Sequence, residues 1–191
     1  MRPVIRLATV EDAPQIQAIY APVVSDTAVS FELEPPSMEE MRRRVETTLL
    51  TLPWLIYEGD GVIGYAYAGV FRSRPAYQWS VEVSVYVHAA HRGKGVARAL
   101  YTSLFECLRV QGHRTALAGI VLPNPASVAL HERMGFRSVG IFHHVGCKLR
   151  AWHDVGWWEL SLQSLPNPPP RPQPLPEVVN TEVWRAALEA R

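Results

Sequence analysis

Apolar and polar positions change period several times along this chain, and each change marks an element. Residues 4–8 are a short apolar run that reads as a strand. Thr9 then precedes Glu11 and Asp12, the pattern of a capped helix start with acids in its first turn. Ile16, Ile19, Tyr20 and Val23 share one face of that helix, which is expected to run to about Ser25. Ser37 and Glu40 form a capping box for a second helix over residues 38–51. Residues 54–58 and 62–71 flank Gly59, Asp60 and Gly61 and read as a β-hairpin.

The clearest alternation covers residues 77–87, where Val81, Val83, Val85 and Val87 interleave with Ser80, Glu82, Ser84 and Tyr86. A helix over residues 95–111 follows, with Val96, Leu100, Leu104 and Leu108 repeating every four residues and Gly112 beyond its end. Residues 116–122 are a further strand, broken by Pro123, Asn124 and Pro125, and a short helix then runs to Met134 before Gly135. Two last strands are expected near residues 137–142 and 155–162, separated by a loop that carries Trp152, His153 and Asp154. The order β-α-α-β-β-β-α-β-α-β-β predicts an α/β (α+β) domain with a mixed, largely antiparallel central sheet flanked by helices. Seven of the sixteen prolines fall in residues 166–176. The chain therefore divides into a folded domain, 1–165, and a proline-rich C-terminal arm, 166–191, with room for one short helix from Thr181.

Composition narrows the classes. The 191 residues are 48% hydrophobic and 19% charged, which suits one domain with a full core. A net charge of +1 argues against a general nucleic-acid binder. Two cysteines, Cys107 and Cys147, supply no disulfide framework. No charged-then-apolar leader opens the chain, and the apolar run at residues 62–71 is too short to span a membrane, so the expected location is the cytoplasm, away from membranes. His88 and His91 have a suggestive spacing but lack the His-Glu-x-x-His pattern and precede a glycine turn, and His143, His144 and Cys147 carry no stronger metal signal, so no metal is expected.

The chemistry concentrates after the alternating strand, at Arg92, Gly93, Lys94, Gly95, Val96 and Ala97. A basic, glycine-containing turn that opens a helix presents free backbone N–H groups, a seat for a pyrophosphate. It is not a Walker loop, which needs Gly-Lys-Ser/Thr after a four-residue spacer, and Arg98 stands where a dinucleotide fingerprint has its third glycine. Glu82, upstream on the strand's polar face, is a candidate general base. An α-amino group has a pKa of about 8, so roughly nine-tenths of it is protonated at pH 7, and transfer to it needs such a base.

The run from Arg92 to Ala97 resembles the acetyl-CoA loop of the GNAT superfamily of N-acyltransferases, and Asn124 with the segment from Leu130 to Phe136 resembles its later signature. Tyr77, Trp79, Glu82, Val85, Tyr86, Val87 and the run Trp152, His153, Asp154, Val155, Gly156 make the chain similar to the phosphinothricin N-acetyltransferase branch. The resemblance implies acetyl-CoA as co-substrate, seated by Arg92, Gly93, Lys94, Gly95, Val96 and Ala97, with Val85, Tyr86, Val87 and Asn124 along its pantetheine arm. It implies Glu82 as base and His131 as the acid, in the position where many GNAT enzymes carry a tyrosine; the two roles could also be exchanged. Phe31, Arg72, Arg74 and Tyr77 match positions that line the acceptor pocket, for a small amino acid such as phosphinothricin or methionine sulfoximine or sulfone. A homodimer is implied as well. Another amine (a polyamine, an antibiotic, a protein N-terminus) or a non-catalytic CoA-binding module are the alternatives.

Overall fold

The computed structural model describes residues 4–190. Seven strands form one sheet in the order β1-β2-β3-β4-β5-β7-β6. They are β1 (Val4–Leu7), β2 (Trp54–Gly59), β3 (Gly61–Val70), β4 (Ser80–Val87), β5 (Thr115–Leu122), β6 (Arg137–Lys148) and β7 (Ala151–Ser161). Every neighbouring pair is antiparallel except β4 with β5. Helices α1 (Ala13–Asp26) and α2 (Met38–Leu49) cover the face that carries Trp54, Ile56 and Tyr65. Helix α3 (Val96–Gln111) covers the opposite face, on Leu55, Ala66, Ala68, Val81 and Val83. The valine alternation of β4 is thus a two-sided device: valines reach α3, while Glu82, Ser84 and Tyr86 face α1 and α2. Among the described residues no helix is long and apolar enough to cross a membrane.

Several expectations shift in detail. Residues Val10–Asp12 form a 3-10 turn before α1, closed by the Thr9 N–H donating to Asp12 Oδ2 at 2.8 Å. β4 begins at Ser80 and not at Tyr77, because Pro75 fixes a 3-10 turn over Pro75–Tyr77. The larger correction concerns Trp152, His153 and Asp154, which lie within β7 and not in a loop. β6 and β7 form one long hairpin that turns at Leu149 and Arg150, both left-handed at φ 51 and 63°. The sequence hid this because β6 is exposed along almost its whole length and its register shifts between Phe142 and Gly146. No buried face remained to impose a period of two.

The chain after residue 165 lies against the domain. Trp79 Nε1 donates to Pro170 O at 2.7 Å, and Gln111 Nε2 donates to Thr51 O and Gln173 O at 2.8 and 2.9 Å. Beyond these ties, α4 (Pro125–Arg133) having closed the domain's last crossover, two short helices follow: α5 (Leu175–Val178) and α6 (Glu182–Leu188). Leu175, Val178, Trp184 and Ala187 are buried with Cys107 of α3, whose thiol pKa burial pushes up to about 12. The helix read from Thr181 is α6, capped by that threonine; Arg191 lies outside the described residues. Trp184→Ala should lower unfolding stability by about 3–5 kcal/mol in denaturant titration. Val183→Ala, at an exposed neighbour, should stay within about 0.5 kcal/mol; equal effects would mean that the segment is undocked in solution.

Candidate active site

β4 and β5 are bonded only at their beginnings. Ser80, Val81 and Glu82 pair with Thr115, Ala116 and Leu117, and the strands then part. β4 stays paired to β3 as far as Val87, and β5 stays paired to β7 as far as Leu122. Amide directions follow from the register. His88 N–H donates to Ile63 O at 2.9 Å, so Tyr86, Ser84 and Glu82 turn their backbone groups toward β3. Val83, Val85 and Val87 turn theirs the other way: Val83 still faces Leu117 at the end of the β4–β5 ladder, and Val85 and Val87 face the gap. Trp79 O, two residues before Val81 in the same phase, accepts from Thr115 N–H at 3.2 Å. Of the three β4 residues expected along the pantetheine arm, Val85 and Val87 offer amides to the gap. Tyr86 borders the cleft, but its amide faces β3 and its ring packs edge-on to Tyr20 at 5.0 Å.

The glycine turn stands at the wide end of this gap. Gly93 and Gly95 have φ of 72 and 83°, a region that favours glycine, while a Cβ at either would meet nothing within 4 Å. Backbone conformation is therefore what demands glycine here. Gly95 caps α3 without a side-chain bond, and the first intrahelical bond runs from Ala99 N–H to Gly95 O at 3.0 Å. The N–H groups of Val96, Ala97 and Arg98 remain free at the positive end of the helix dipole. The Val96 side chain itself is in the core, so only its amide serves the turn. Arg92 Nε and Lys94 Nζ rest on the carbonyls of Val87 and Ala90 at 3.2 and 2.9 Å. These donors and this open backbone suit a diphosphate tail.

His131 and Asn124 close the cleft from α4. Asn124 Oδ1 accepts from Ser127 N–H at 3.2 Å and so caps α4. His131 is 4% exposed. Its Nδ1 lies 2.8 Å from the Ser127 carbonyl, which can only accept, so Nδ1 carries the proton. Nε2, 3.1 Å from Tyr101 Oη, then accepts from that hydroxyl in the neutral ring. Burial holds the pKa of His131 below the ordinary histidine value, against the pull of the Ser127 carbonyl. An imidazolium is the disfavoured form.

Glu82 sits where the strands part, half-buried, with no ion pair among the described residues. Burial pushes its carboxyl above the usual carboxylate range, and the charge of Arg72 pulls it partly back. Gly69 stands across from it on β3, and a Cβ there would meet only the Glu82 backbone O at 4.0 Å, so the sheet face beside Glu82 is open at that position. Arg72, Arg74 and Tyr77 line one groove together with Ser80, Pro172 and Pro174. Phe31 stands apart from them, in the α1–α2 segment, against Gly146 and His153 of the long hairpin. Sequence reasoning missed Phe71 and Trp157, whose rings meet edge-to-face at 5.8 Å, with Arg72 5.1 Å over Phe71 and Tyr77 5.8 Å beside it. Trp157 lies opposite Gly119, a bare position that makes room for the ring. That pairing was visible only with the register in hand. Among the described residues no three His, Cys, Asp or Glu side chains gather as a metal-holding group.

Residues 5–157 match the model of the acetyltransferase (GNAT) domain. The chain is 38% identical to a phosphinothricin N-acetyltransferase of Streptomyces viridochromogenes, over 93% of this chain and 97% of that protein. It is 36% identical to an L-methionine sulfoximine/L-methionine sulfone acetyltransferase of Salmonella typhimurium, over 83% of this chain and 94% of that one. Among solved structures it superimposes on a GNAT superfamily phosphinothricin acetyltransferase of Sinorhizobium meliloti in complex with AcCoA. There the TM-score is 0.80 at 34% identity, covering 84% of this chain and 89% of the other. Parted central strands, a glycine-opened helix and a sequence match across most of the chain converge: this protein belongs to the GNAT family of N-acetyltransferases.

Proposed function

We propose that this chain transfers the acetyl group of acetyl-CoA to the amino group of a small amino acid of the phosphinothricin or methionine sulfoximine and sulfone type. The observation that carries the reading is the unpaired, half-buried Glu82 at the point where β4 leaves β5. The free amides of Val96 and Ala97, with Arg92 and Lys94 released from their carbonyls, hold the diphosphate. Val85 and Val87 amides bond the pantetheine arm and the thioester oxygen, where negative charge develops as the amine attacks. Glu82 takes the proton from the acceptor's ammonium, directly or through one water, and its raised pKa makes it a stronger base than an exposed glutamate. Neutral His131 has no proton to give from Nε2, which accepts from Tyr101, so it orients that hydroxyl at the cleft wall. As the tetrahedral intermediate collapses the C–S bond breaks, and the CoA thiolate takes up the second proton, which the acetylated nitrogen sheds. Arg72 and Arg74 offer guanidinium forks to the acceptor's carboxylate and its anionic or strongly polar end. Two copies are proposed to meet along edge strand β6, where Ile141 and Phe142 are exposed.

Acetyl-CoA mixed with a panel of free amino-acid analogues should release thiol with phosphinothricin, methionine sulfoximine or methionine sulfone, and Glu82→Gln should slow that release about 10²-fold or more. No transfer to any amino acid would defeat the acceptor class, and a near-normal rate for the variant would remove the base role. In a pH profile of kcat/KM the acid limb should lie above the usual carboxylate range, because Glu82 must lose its proton to act. Arg72→Ala removes a charge that favours the ionised form, so the limb should move to higher pH; movement to lower pH contradicts the assignment. Light scattering should give twice the chain mass, and Ile141→Lys should return it to one; a wild-type monomer ends the dimer proposal.

A further inference from the structure

The segment between α1 and α2 crosses the mouth of the cleft: Val29 lines it together with Asn124 and His131, and Phe31 reaches the long hairpin on its far side. On the near side this strap is tied by a hydrogen-bonded cluster. Tyr20 Oη bonds Ser30 Oγ at 2.7 Å and donates to Glu32 Oε1 at 3.0 Å, and Arg44 donates to both oxygens of Glu32 at 2.7 and 3.2 Å. On the far side one side chain makes the tie. Lys148, at the end of β6 and 5% exposed, donates from Nζ to Val24 O at 2.6 Å and to Ser30 O at 2.7 Å. Val24 is in the last turn of α1, where carbonyls lack intrahelical partners and the helix dipole favours a cation. Lys148 has no carboxylate in ion-pair range among the described residues, so its two carbonyl bonds fix it to this spot. Two residues earlier the bare backbone of Gly146 seats the Phe31 ring: a Cβ there would fall 2.2 Å from Phe31 Cε2.

We propose that Lys148 is a positioning residue for acceptor binding: by pinning Val24 and Ser30 to the β6–β7 hairpin it sets where Phe31 stands beside the acceptor. The proposal rests on the proposed acetyl transfer and on the family resemblance, by which Phe31 matches a position lining the acceptor pocket. A buried ammonium suits the task. Two charge-assisted bonds to carbonyls on consecutive parts of one strap define its height over the cleft, and no apolar side chain reproduces them. The cofactor turn and the α3 amides lie at the other end of β4, so the pin bears on the acceptor more than on the diphosphate.

Steady-state kinetics and amide hydrogen exchange on Lys148→Met, Lys148→Arg and Gly146→Ala test it. Lys148→Met should raise the acceptor KM on the order of tenfold, leave the acetyl-CoA KM unchanged, and speed exchange in residues 27–32. Lys148→Arg, which keeps charge and donors, should recover most of the loss, and Gly146→Ala should raise the acceptor KM by displacing Phe31 with the pin intact. An unchanged acceptor KM in Lys148→Met, or acceptor and acetyl-CoA KM rising together, overturns the positioning role. If the wild-type enzyme acetylates no amino acid, the acceptor reading falls by itself. Exchange and retained acetyl-CoA binding then judge the pin: unchanged exchange in residues 27–32 overturns it too.

Discussion

Everything at this site depends on an interruption in backbone hydrogen bonding. A central strand normally spends both edges on its neighbours, and buried backbone groups left without partners are costly. Here β4 and β5 exchange bonds over only three residue pairs, and the amides of Val85 and Val87 then open onto a gap. The gap persists because each half of the sheet is stable on its own side. β4 is bonded along its length to β3, and β5 along its length to β7, while α3 packs beneath both halves. A ligand that brings carbonyl and amide groups of its own, as a pantetheine arm does, completes what the fold leaves incomplete.

The same parting sets one glutamate among many in a distinct environment. Glu82 is the last β4 residue paired to β5, so it stands at the apex of the gap, with the sheet face beside it open at Gly69. It is buried enough for its carboxyl to hold a proton more tightly than usual, yet among the described residues it forms no ion pair. Arg72 acts on it from a distance, which tempers the shift without locking the group in an ion pair. His131 shows the contrasting outcome. It is buried with both ring nitrogens engaged, by Ser127 and Tyr101, so its protonation state is settled by neighbours and not by a reacting molecule.

How much of this could be read from residues alone varies along the chain in a physically sensible way. β4 and α3 were legible because each buries one face, and burial imprints a period on the sequence. The glycine turn was legible because left-handed backbone at Gly93 and Gly95 restricts the residue type. β6 was not, since an edge strand exposed on both faces and bulged between Phe142 and Gly146 has no periodic constraint to display. Lys148 was equally silent: nothing in a strand-end lysine announces that two carbonyls from over a hundred residues away will surround it.

By itself the sequence determined the order of elements, the glycine turn that opens α3 and the identity of the carboxylate on the polar face of β4, because these follow from local periodicity and backbone preference. Tertiary structure alone decided which amides face the gap, that Phe31 stands apart from Arg72, Arg74 and Tyr77, and that the rings of Phe71 and Trp157 meet. It also brought the proline-rich segment back onto α3 through Trp184 and Gln111. These depend on register and on contacts between distant segments, which no local pattern encodes: hydrogen-bond phase and burial are properties of pairs of strands, and they exist only once the chain has folded.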